Sequence, residues 1–320
     1  MKIKSFILPF IALLLTACGS GDGDNKSYPD RDLFNLRGDV AMLTTTRRSN
    51  MGEKTQLYIF NRHGRLVAFS VDGRSNIYDA DKKVSRDNHD RIDTIRQPQS
   101  ESLCFFYDGN DTKPIKFKSW DPGFFTPDQA EEVPLTYDNG NMLIAIPELD
   151  YKVSDFDQQG NWLYADCREY GETREIIYFN QADFEPGSPA AVVEEAMQYY
   201  ARQDYDKYFD YTEAVFESKE ARQKGGQLVA EQVRIITSRP QKGGGLIATY
   251  VYQVVPDKKN KDHVSVKYIN VWGCGMVSLS SVGVTKHDGK WLMSIVKHPI
   301  TSIFRNSKPV SHTPRWTMKM

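Results

Sequence analysis

The chain divides into two parts that differ in the spacing of their hydrophobic residues. From about Asp30 to Ala182, short runs of β-branched and aromatic residues alternate with polar turn residues, and no segment has a convincing helical period. The apolar run Leu57–Phe60, for example, precedes the polar turn residues 61–65, and a second apolar run follows over residues 66–70. This alternation predicts β-hairpins in an antiparallel meander that buries one face and exposes the other.

The hairpin pattern recurs at irregular spacing as a strand end, polar turn residues, a glycine and a new strand. Residues 137–146 and 156–164 have this order of features, and residues 85–92 have a degenerate form of it. The segment Phe156–Trp162 (FDQQGNW) resembles the tyrosine-aspartate, or Rhs-type, repeats of bacterial surface proteins. Leu36–Val40 (LRGDV) resembles the opening of lipoprotein domains built from such repeats. An ordinary antiparallel sheet is the alternative interpretation.

A loop rich in proline and glycine over residues 120–127 carries three aromatic residues, Trp120, Phe124 and Phe125. If the loop is exposed, these side chains form a contact site on the surface. Large aromatic side chains are more often buried, and we therefore favour a loop that packs onto the core.

The composition changes at residues 184–189, where a second unit begins. Pro186-Gly187 is typical of a linker, Ser188 is a good helix N-cap and Pro189 suits a first helical turn. A helix to about Gln203 would carry one apolar face. We expect a second short helix over residues 204–212 and a third over residues 218–238, the latter interrupted at Gly225-Gly226.

After Pro240 the hydrophobic period changes to two. It predicts four strands, over residues 246–255, 264–272, 276–286 and 290–296. Helices followed by a four-stranded meander resemble the nuclear transport factor 2-like fold, and in particular its small lipoprotein version. That version opens with Pro-x-x-Val-Val and closes with Asp-Gly-Lys-Trp, which match Pro189, Val192 and Val193 and then residues 288–291. The resemblance implies a cone of curved sheet wrapped around helices.

The fold class that we predict is therefore α+β. An N-terminal antiparallel β-meander domain would span residues 30–183, and a cone-shaped domain of helices and curved sheet would span residues 188–298. Residues 307–320 would form a flexible basic tail.

The N-terminus predicts export and lipid attachment. Lys2 and Lys4 precede the ten apolar residues 6–15, a length typical of a signal peptide and too short to span a bilayer. Leu15-Thr16-Ala17-Cys18 resembles the lipobox of bacterial lipoproteins, which implies cleavage after residue 17 and lipid attachment at Cys18; an ordinary secretory signal is the alternative. Residues 18–29 would be a flexible tether. Gly19, where aspartate retains enteric lipoproteins in the inner membrane, implies the outer membrane, on its periplasmic face or at the cell surface.

Composition and cysteine number narrow the possible partners. The 320 residues are 40% hydrophobic with a formal net charge of −1, so we expect folded domains and no nucleic-acid partner. Besides Cys18, the chain contains Cys104, Cys167 and Cys274, and an odd number allows at most one disulfide within the chain. We favour three mostly buried thiols, and a Cys104–Cys167 disulfide is the alternative. The chain contains no Cys-x-x-Cys pair, and its six histidines lack metal-ligand spacing, so we expect neither a metal nor another cofactor.

Candidate site residues are aromatic rather than catalytic. The predicted C-terminal strands contain no carboxylate in either of their first two runs, and His263 and His287 fall at strand ends. The residues that could line a pocket of the cone are Tyr200, Tyr208, Tyr250, Tyr252, Tyr268 and Trp272. Packing of these side chains against the helices is the alternative.

These features predict a non-catalytic binding or scaffolding module that is anchored to the membrane through lipid on Cys18, with an envelope protein or a glycan as partner. The alternative is a small-molecule carrier, or a lyase- or isomerase-type enzyme, that uses the cavity of the C-terminal cone. A structural spacer in the envelope is a third possibility.

Overall fold

The structure, a computed structural model, describes residues 27–50, 52–71, 77–97, 102–138, 141–144, 152–166, 170–179, 184–237, 245–273 and 275–294. The predicted signal peptide, Cys18, most of the tether and the basic tail over residues 307–320 lie outside the described residues. Cys104 is a half-buried free thiol, whereas Cys167 and Cys274 also lie outside those residues. No helix within the described ranges combines the length and apolarity that crossing a membrane requires.

The N-terminal part consists mostly of strands. Its elements are α1 (Asp30–Leu33), β1 (Val40–Ser49), β2 (Gly52–Phe60), β3 (Leu66–Ser70), β4 (Tyr78–Asp79), α2 (Ala80–Lys83), β5 (Val84–Arg86), β6 (Ile92–Ile95), β7 (Ser102–Tyr107), β8 (Pro114–Trp120), a 3-10 turn (Pro127–Gln129), β9 (Glu132–Asp138), β10 (Asn141–Ile144), β11 (Lys152–Phe156), β12 (Trp162–Asp166) and β13 (Tyr170–Tyr178).

The predicted meander is divided between two antiparallel sheets. One sheet has the order β11-β12-β13-β1-β2-β3-β4, and the other has the order β10-β9-β8-β7-β6-β5. The division arises because β13 returns to pair with β1 along nearly its whole length, from Tyr178 opposite Val40 to Tyr170 opposite Ser49. The pairing places β1 at the centre of the first sheet, where Val40, Ala41, Met42 and Leu43 are fully buried. Local hairpin signals contain no information about this closure between distant segments.

Three hairpin turns share one hydrogen-bond pattern. Each begins at Asn61, Asp87 or Asp157, whose side-chain Oδ1 accepts from the backbone N–H groups two and four residues later. The backbone N–H of the first residue donates to the carbonyl four residues later. The fourth residue has positive φ, 83° at Gly64, 60° at Asp90 and 80° at Gly160. Three copies of the sequence repeat therefore share one turn, whereas residues 139–140 of the copy over residues 137–146 lie outside the described residues. In the degenerate copy, aspartate takes the left-handed conformation that it tolerates better than most residues.

The C-terminal part begins with helices and ends with a four-stranded sheet. Its elements are α3 (Pro189–Ala201), α4 (Tyr205–Phe209), α5 (Lys219–Thr237), β14 (Leu246–Pro256), β15 (His263–Trp272), β16 (Met276–His287) and β17 (Lys290–Met293), with the strand order β14-β15-β16-β17. Ser188 caps α3 by accepting from the backbone N–H of Ala191, as its position before Pro189 predicts. Two register shifts along β14 bend this edge strand against β15. The coarse α+β class is thus confirmed.

One sequence prediction about the helices is wrong. Gly225 and Gly226 do not interrupt the third helix, because α5 runs through both positions. A Cβ atom at position 225 would lie 2.8 Å from Cε1 of Phe216, a distance that real side chains essentially never show. Phe216 in turn packs edge-on against Phe209, with ring centroids 4.8 Å apart. Glycine at 225 therefore permits close packing of an aromatic pair rather than ending the helix.

The N-terminal and C-terminal parts share a hydrophobic cluster. Alternate residues of β15 face opposite ways: Val266 and Tyr268 face the helices, whereas Ile269 and Val271 pack with Met42 and residues of the first N-terminal sheet. Glu194 of α3 connects the same parts, because it pairs with Arg62 and accepts from the backbone N–H of Val251. Both faces of β15 are therefore covered, which explains its continuous burial from Tyr268 to Trp272.

Candidate functional site

Four tyrosines meet between the helices and the four-stranded sheet. Tyr200 lies at the end of α3, Tyr205 and Tyr208 lie on α4, and Tyr268 lies on β15; all four side chains are buried. The rings of Tyr205 and Tyr208 pack edge-on against Tyr200, with centroid distances of 5.6 and 5.4 Å. The chain turns sharply between the two helices at Gln203, which has φ of 60°. That turn brings the tyrosines of both helices onto one side.

The hydroxyl groups of this tyrosine cluster are isolated from water. The Oη atoms of Tyr200 and Tyr205 are fully buried, and no described residue provides either with a hydrogen-bond partner. Burial raises the pKa of Tyr205 and of Tyr268 to about 12. Burial also raises the pKa of Tyr200 and Tyr208, and the neighbouring tyrosines add to the effect. All four phenols are consequently neutral at physiological pH and can donate hydrogen bonds.

The structure places four of the six predicted pocket residues together. Tyr200, Tyr208, Tyr268 and Trp272 belong to the cluster on the helix side of the sheet. Tyr250 and Tyr252 pack on the opposite face, against the N-terminal sheet. The side chains of β14 alternate, so that Val251 faces the helices and its two tyrosine neighbours face away. Trp272 is held by a 3.0 Å hydrogen bond from its Nε1 to Oγ of Ser278.

The sequence reasoning omitted Tyr205 from the predicted pocket residues. The predicted second short helix contains Tyr205, whereas Tyr200 lies on the first helix, so a turn separates the two residues. A helical period therefore gave no indication that the two rings meet. The contact depends on the left-handed Gln203 and on the N-cap at Asp204, which accepts from the backbone N–H of Lys207 at 3.3 Å.

Ionisable groups lie outside the tyrosine cluster. No described Asp, Glu or His is among the causes that shift the pKa values of the four tyrosines, which are burial, the neighbouring tyrosines and Ser280. His263 and His287 lie at strand ends, and each is near one carboxylate. His263 Nδ1 is 3.3 Å from Asp257, and His287 Nε2 is 3.3 Å from Glu213. In the part of the chain that the structure describes, no group of three or more His, Cys, Asp or Glu side chains could hold a metal ion.

A second candidate site is the loop between β8 and β9, which we call the aromatic loop (residues 121–131). Phe124 is 82% exposed and Phe125 is 58% exposed, so the interpretation that this loop packs onto the core is wrong. Trp120, by contrast, is half-buried at the end of β8, where it pairs with Ser102. The two phenylalanines therefore form an apolar tip that extends into solvent.

The aromatic loop is fixed by its own hydrogen bonds. The carbonyl of Asp121 accepts from the backbone N–H groups of Phe124 and Phe125, at 3.0 and 2.8 Å, and its Oδ1 accepts from Gly123 at 2.8 Å. On the far side, Oε1 of Gln129 accepts from the backbone N–H of Thr126 at 2.9 Å, in a capping box. These bonds satisfy backbone groups locally without burying the side chains. The loop thus holds its conformation although its aromatic rings make little contact with the core.

Comparison with protein-family models gives no match, and comparison with curated proteins gives none either. Among solved structures, the chain is similar to one described as an NTF2-like transpeptidase from Campylobacter jejuni. The similarity covers 33% of this chain and 97% of the other, with 19% sequence identity and a TM-score of 0.26. Such a low TM-score carries no argument about function, which has to be argued from the sites described above.

Proposed function

We propose that this chain is a lipid-anchored cell-envelope protein that acts as a non-catalytic binding module, with the aromatic loop as its contact surface. The observation that carries the proposal is the exposure of Phe124 and Phe125 on a hydrogen-bonded loop. Two adjacent exposed phenylalanines do not stabilise the free protein. Binding to a partner that buries them is favoured by about 1.5–3 kcal/mol for each ring. Aromatic side chains on a preorganised loop also lose little conformational entropy on binding.

The charges around the loop indicate the chemistry of the partner. Asp128 and Glu131 are exposed beside the apolar tip, and Asp121 lies at its base. Carboxylates at the rim of a contact favour a partner whose pocket is bordered by lysine or arginine. They disfavour an anionic lipid surface as the primary contact. We therefore propose an envelope protein with a basic-rimmed apolar pocket as the partner, and the predicted glycan partner becomes an outcome of the test.

The proposed location depends on Cys18, which the sequence predicts as the lipid-attachment residue. Two or three acyl chains on this cysteine would hold the folded part close to the outer membrane. In cells that express the full chain, we expect Cys18→Ala to move the protein from the membrane pellet to the soluble fraction. Retention of this variant in the membrane fraction would overturn the lipid anchor without affecting the binding proposal.

The contact surface is tested in the full chain by photo-cross-linking. A benzophenone amino acid is placed at Thr126, which is exposed beside the two phenylalanines. We expect a discrete cross-linked protein in native membranes. In the Phe124→Ser/Phe125→Ser variant its yield should fall at least about tenfold, since the loss of burial exceeds 1.4 kcal/mol. Phe156→Ser is the matched control, because this phenylalanine is 51% exposed on β11.

Each result of this experiment has a definite meaning. A cross-linked protein that the double variant loses and the control keeps, and that 500 mM salt weakens, supports a basic-rimmed partner. A partner retained equally by the double variant shows that the aromatic loop is not the contact surface. Capture of a glycan and of no protein would show that the proposed partner chemistry is wrong. Retention of neither would overturn the binding module.

A small-molecule carrier, or a lyase- or isomerase-type enzyme, is the second candidate function. The observation that favours it is the pair of buried hydroxyl groups on Tyr200 and Tyr205 that have no partner among the described residues. An enzyme of that type would also need a positioned acid or base at the reacting atoms, and no described Asp, Glu or His affects the pKa values of the four tyrosines. Within this alternative, the carrier is therefore the form that the geometry favours.

A further inference from the structure

The tyrosine cluster contains buried hydroxyl groups that have no hydrogen-bond partner among the described residues. A buried hydroxyl without a partner destabilises the folded state, and folded proteins contain few of them. Here the hydroxyls of Tyr200 and Tyr205 both lie in this state, on rings whose centroids are 5.6 Å apart. Two such groups on neighbouring rings indicate a place where an acceptor atom binds.

The surroundings of the hydroxyls restrict that acceptor to an uncharged molecule. The side chains that complete the cluster are apolar, among them Val193, Met197 and Val251. A carboxylate or phosphate bound here would lose its hydration, and the pKa values of the four described tyrosines are shifted by burial, by one another and by Ser280, not by a Lys or Arg side chain. Neutral phenols next to apolar walls instead match a molecule that is mostly hydrocarbon and carries one hydrogen-bond acceptor.

We propose that the hydroxyls of Tyr200 and Tyr205 bind the carbonyl oxygen of a small uncharged ligand, such as a ketone or an ester, inside the C-terminal part. The ligand's hydrocarbon portion contacts the apolar residues of the same cluster. This inference rests on the carrier, the second candidate function, and it is independent of the aromatic loop. No covalent step is involved, because the site supplies only hydrogen bonds and apolar contact.

The helix α4 is the element through which a ligand can reach the site. It is only five residues long and carries Tyr205 and Tyr208. Its outer side is held to α5 by ion pairs from Arg222 to Asp206 and Asp210, and both carboxylates are exposed. Exposed ion pairs contribute little to stability, so the free energy of opening α4 comes mainly from exposing the buried rings of Tyr205 and Tyr208.

The experiment compares two probes of the same shape on the full chain. Cyclohexanone presents a carbonyl oxygen, and methylenecyclohexane has a CH₂ group in its place. Binding is measured by calorimetry and by the rise in melting temperature. We expect cyclohexanone to bind at least about fivefold more tightly, because its oxygen accepts from two hydroxyls and each neutral hydrogen bond raises the affinity about 2- to 12-fold.

Isosteric variants assign the effect to named hydroxyls. Tyr200→Phe and Tyr205→Phe should each weaken cyclohexanone binding by about 2- to 12-fold and leave methylenecyclohexane unchanged. Tyr252→Phe is the matched control, because its hydroxyl lies on the other face of the sheet; it should change neither affinity.

The proposal is overturned if the two probes bind equally, if neither binds, or if the Tyr→Phe variants keep the wild-type preference for the ketone. A crystal structure of the soaked protein that shows only an ordered water at the two hydroxyls would also overturn it. These outcomes differ from failure of the binding module, which is measured by cross-linking at the aromatic loop and not by ligand affinity.

Discussion

At the residue scale, adjacent glycines on one helix have opposite roles. A Cβ atom at position 225 would lie 2.8 Å from the ring of Phe216, whereas at position 226 it would make an ordinary 3.5 Å contact with Cβ of Tyr205. Both positions are helical, so glycine costs helix stability at each. Only at 225 does the close approach of an aromatic ring require it.

This pair gives a residue-level prediction. Gly226→Ala should stabilise the protein by about 0.5–1 kcal/mol, because alanine loses less backbone entropy in a helix. Gly225→Ala should destabilise it by about 1–3 kcal/mol, because the methyl group forces Phe216 away from Phe209. Urea denaturation measures both free energies of unfolding. Equal effects at the two positions would contradict the tight packing of Phe216.

At the element scale, the hairpin turn is a unit defined by one side-chain oxygen. Asn61, Asp87 and Asp157 all accept two backbone N–H groups through Oδ1. Asparagine in one copy shows that the pattern does not require a charge. The carboxylates add a dependence on pH: burial would raise the pKa of Asp87, but hydrogen bonds from Arg91 and from the backbone of His89 and Arg91 outweigh it and lower the pKa.

The sign of that shift predicts how acid affects the element. A carboxylate whose pKa is lower in the folded state stabilises the fold above its unfolded pKa of about 3.9, and this contribution is lost as the pH falls through the folded pKa. Asp87→Asn should keep the turn, as Asn61 does, but be less stable at pH 7 because the charge pair with Arg91 is lost.

The measurement for this prediction is the free energy of unfolding between pH 3 and pH 7. Its decrease below about pH 4 should be smaller in Asp87→Asn than in the wild type. Part of the decrease should persist, because the pKa of Asp157 is also lowered: hydrogen bonds from Tyr178, Asn161 and Gln159 outweigh the effect of burial. The same steepness in both proteins would show that the Asp87 carboxylate does not contribute.

At the scale of the whole molecule, the two predicted units are joined by a common core. Ile269 and Val271 of β15 pack with Met42, Leu57 and Ile59 of the N-terminal sheet. The backbone N–H of Ile77 also donates to the carbonyl of Gly275 at 2.8 Å. Burial of these side chains in one cluster couples the two parts. If either part unfolds, apolar surface of the other part becomes exposed, which lowers the stability of that part.

The shared cluster predicts cooperative unfolding. Ile269→Ala should lower the free energy of unfolding by about 2–5 kcal/mol and shift the transition of the N-terminal sheet as well as that of the C-terminal part. Ile247→Ala is the matched control; this isoleucine is 58% exposed, and its loss should cost less than about 0.5 kcal/mol. Hydrogen exchange resolved along the chain would follow both parts. Separate transitions, with only the C-terminal one shifted, would contradict the coupling.

The local pattern was sufficient for most elements of the C-terminal part, but not for the continuity of α5 through Gly225 and Gly226. The predicted strand over residues 276–286 is Met276–His287 in the structure, and the helix that starts after Ser188 ends at Ala201, two residues before the expected position. Apolar period, caps and turn residues act over a few neighbours, so a sequence read in order reveals them. The same reasoning grouped six aromatic residues, of which Tyr200, Tyr208, Tyr268 and Trp272 share one hydrophobic cluster.

Contacts between distant segments were decided by tertiary structure. The pairing of β13 with β1, the burial of Tyr250 and Tyr252 against another sheet and the meeting of Tyr205 with Tyr200 all depend on which surfaces approach in three dimensions. So does the exposure of Phe124 and Phe125, because hydrogen bonds within their loop hold aromatic rings in solvent against their usual tendency to be buried. The sequence by itself determined the elements and the lipid-attachment prediction at Cys18. Only the tertiary structure decided which aromatic residues are buried donors and which form a contact surface, because burial depends on non-local packing.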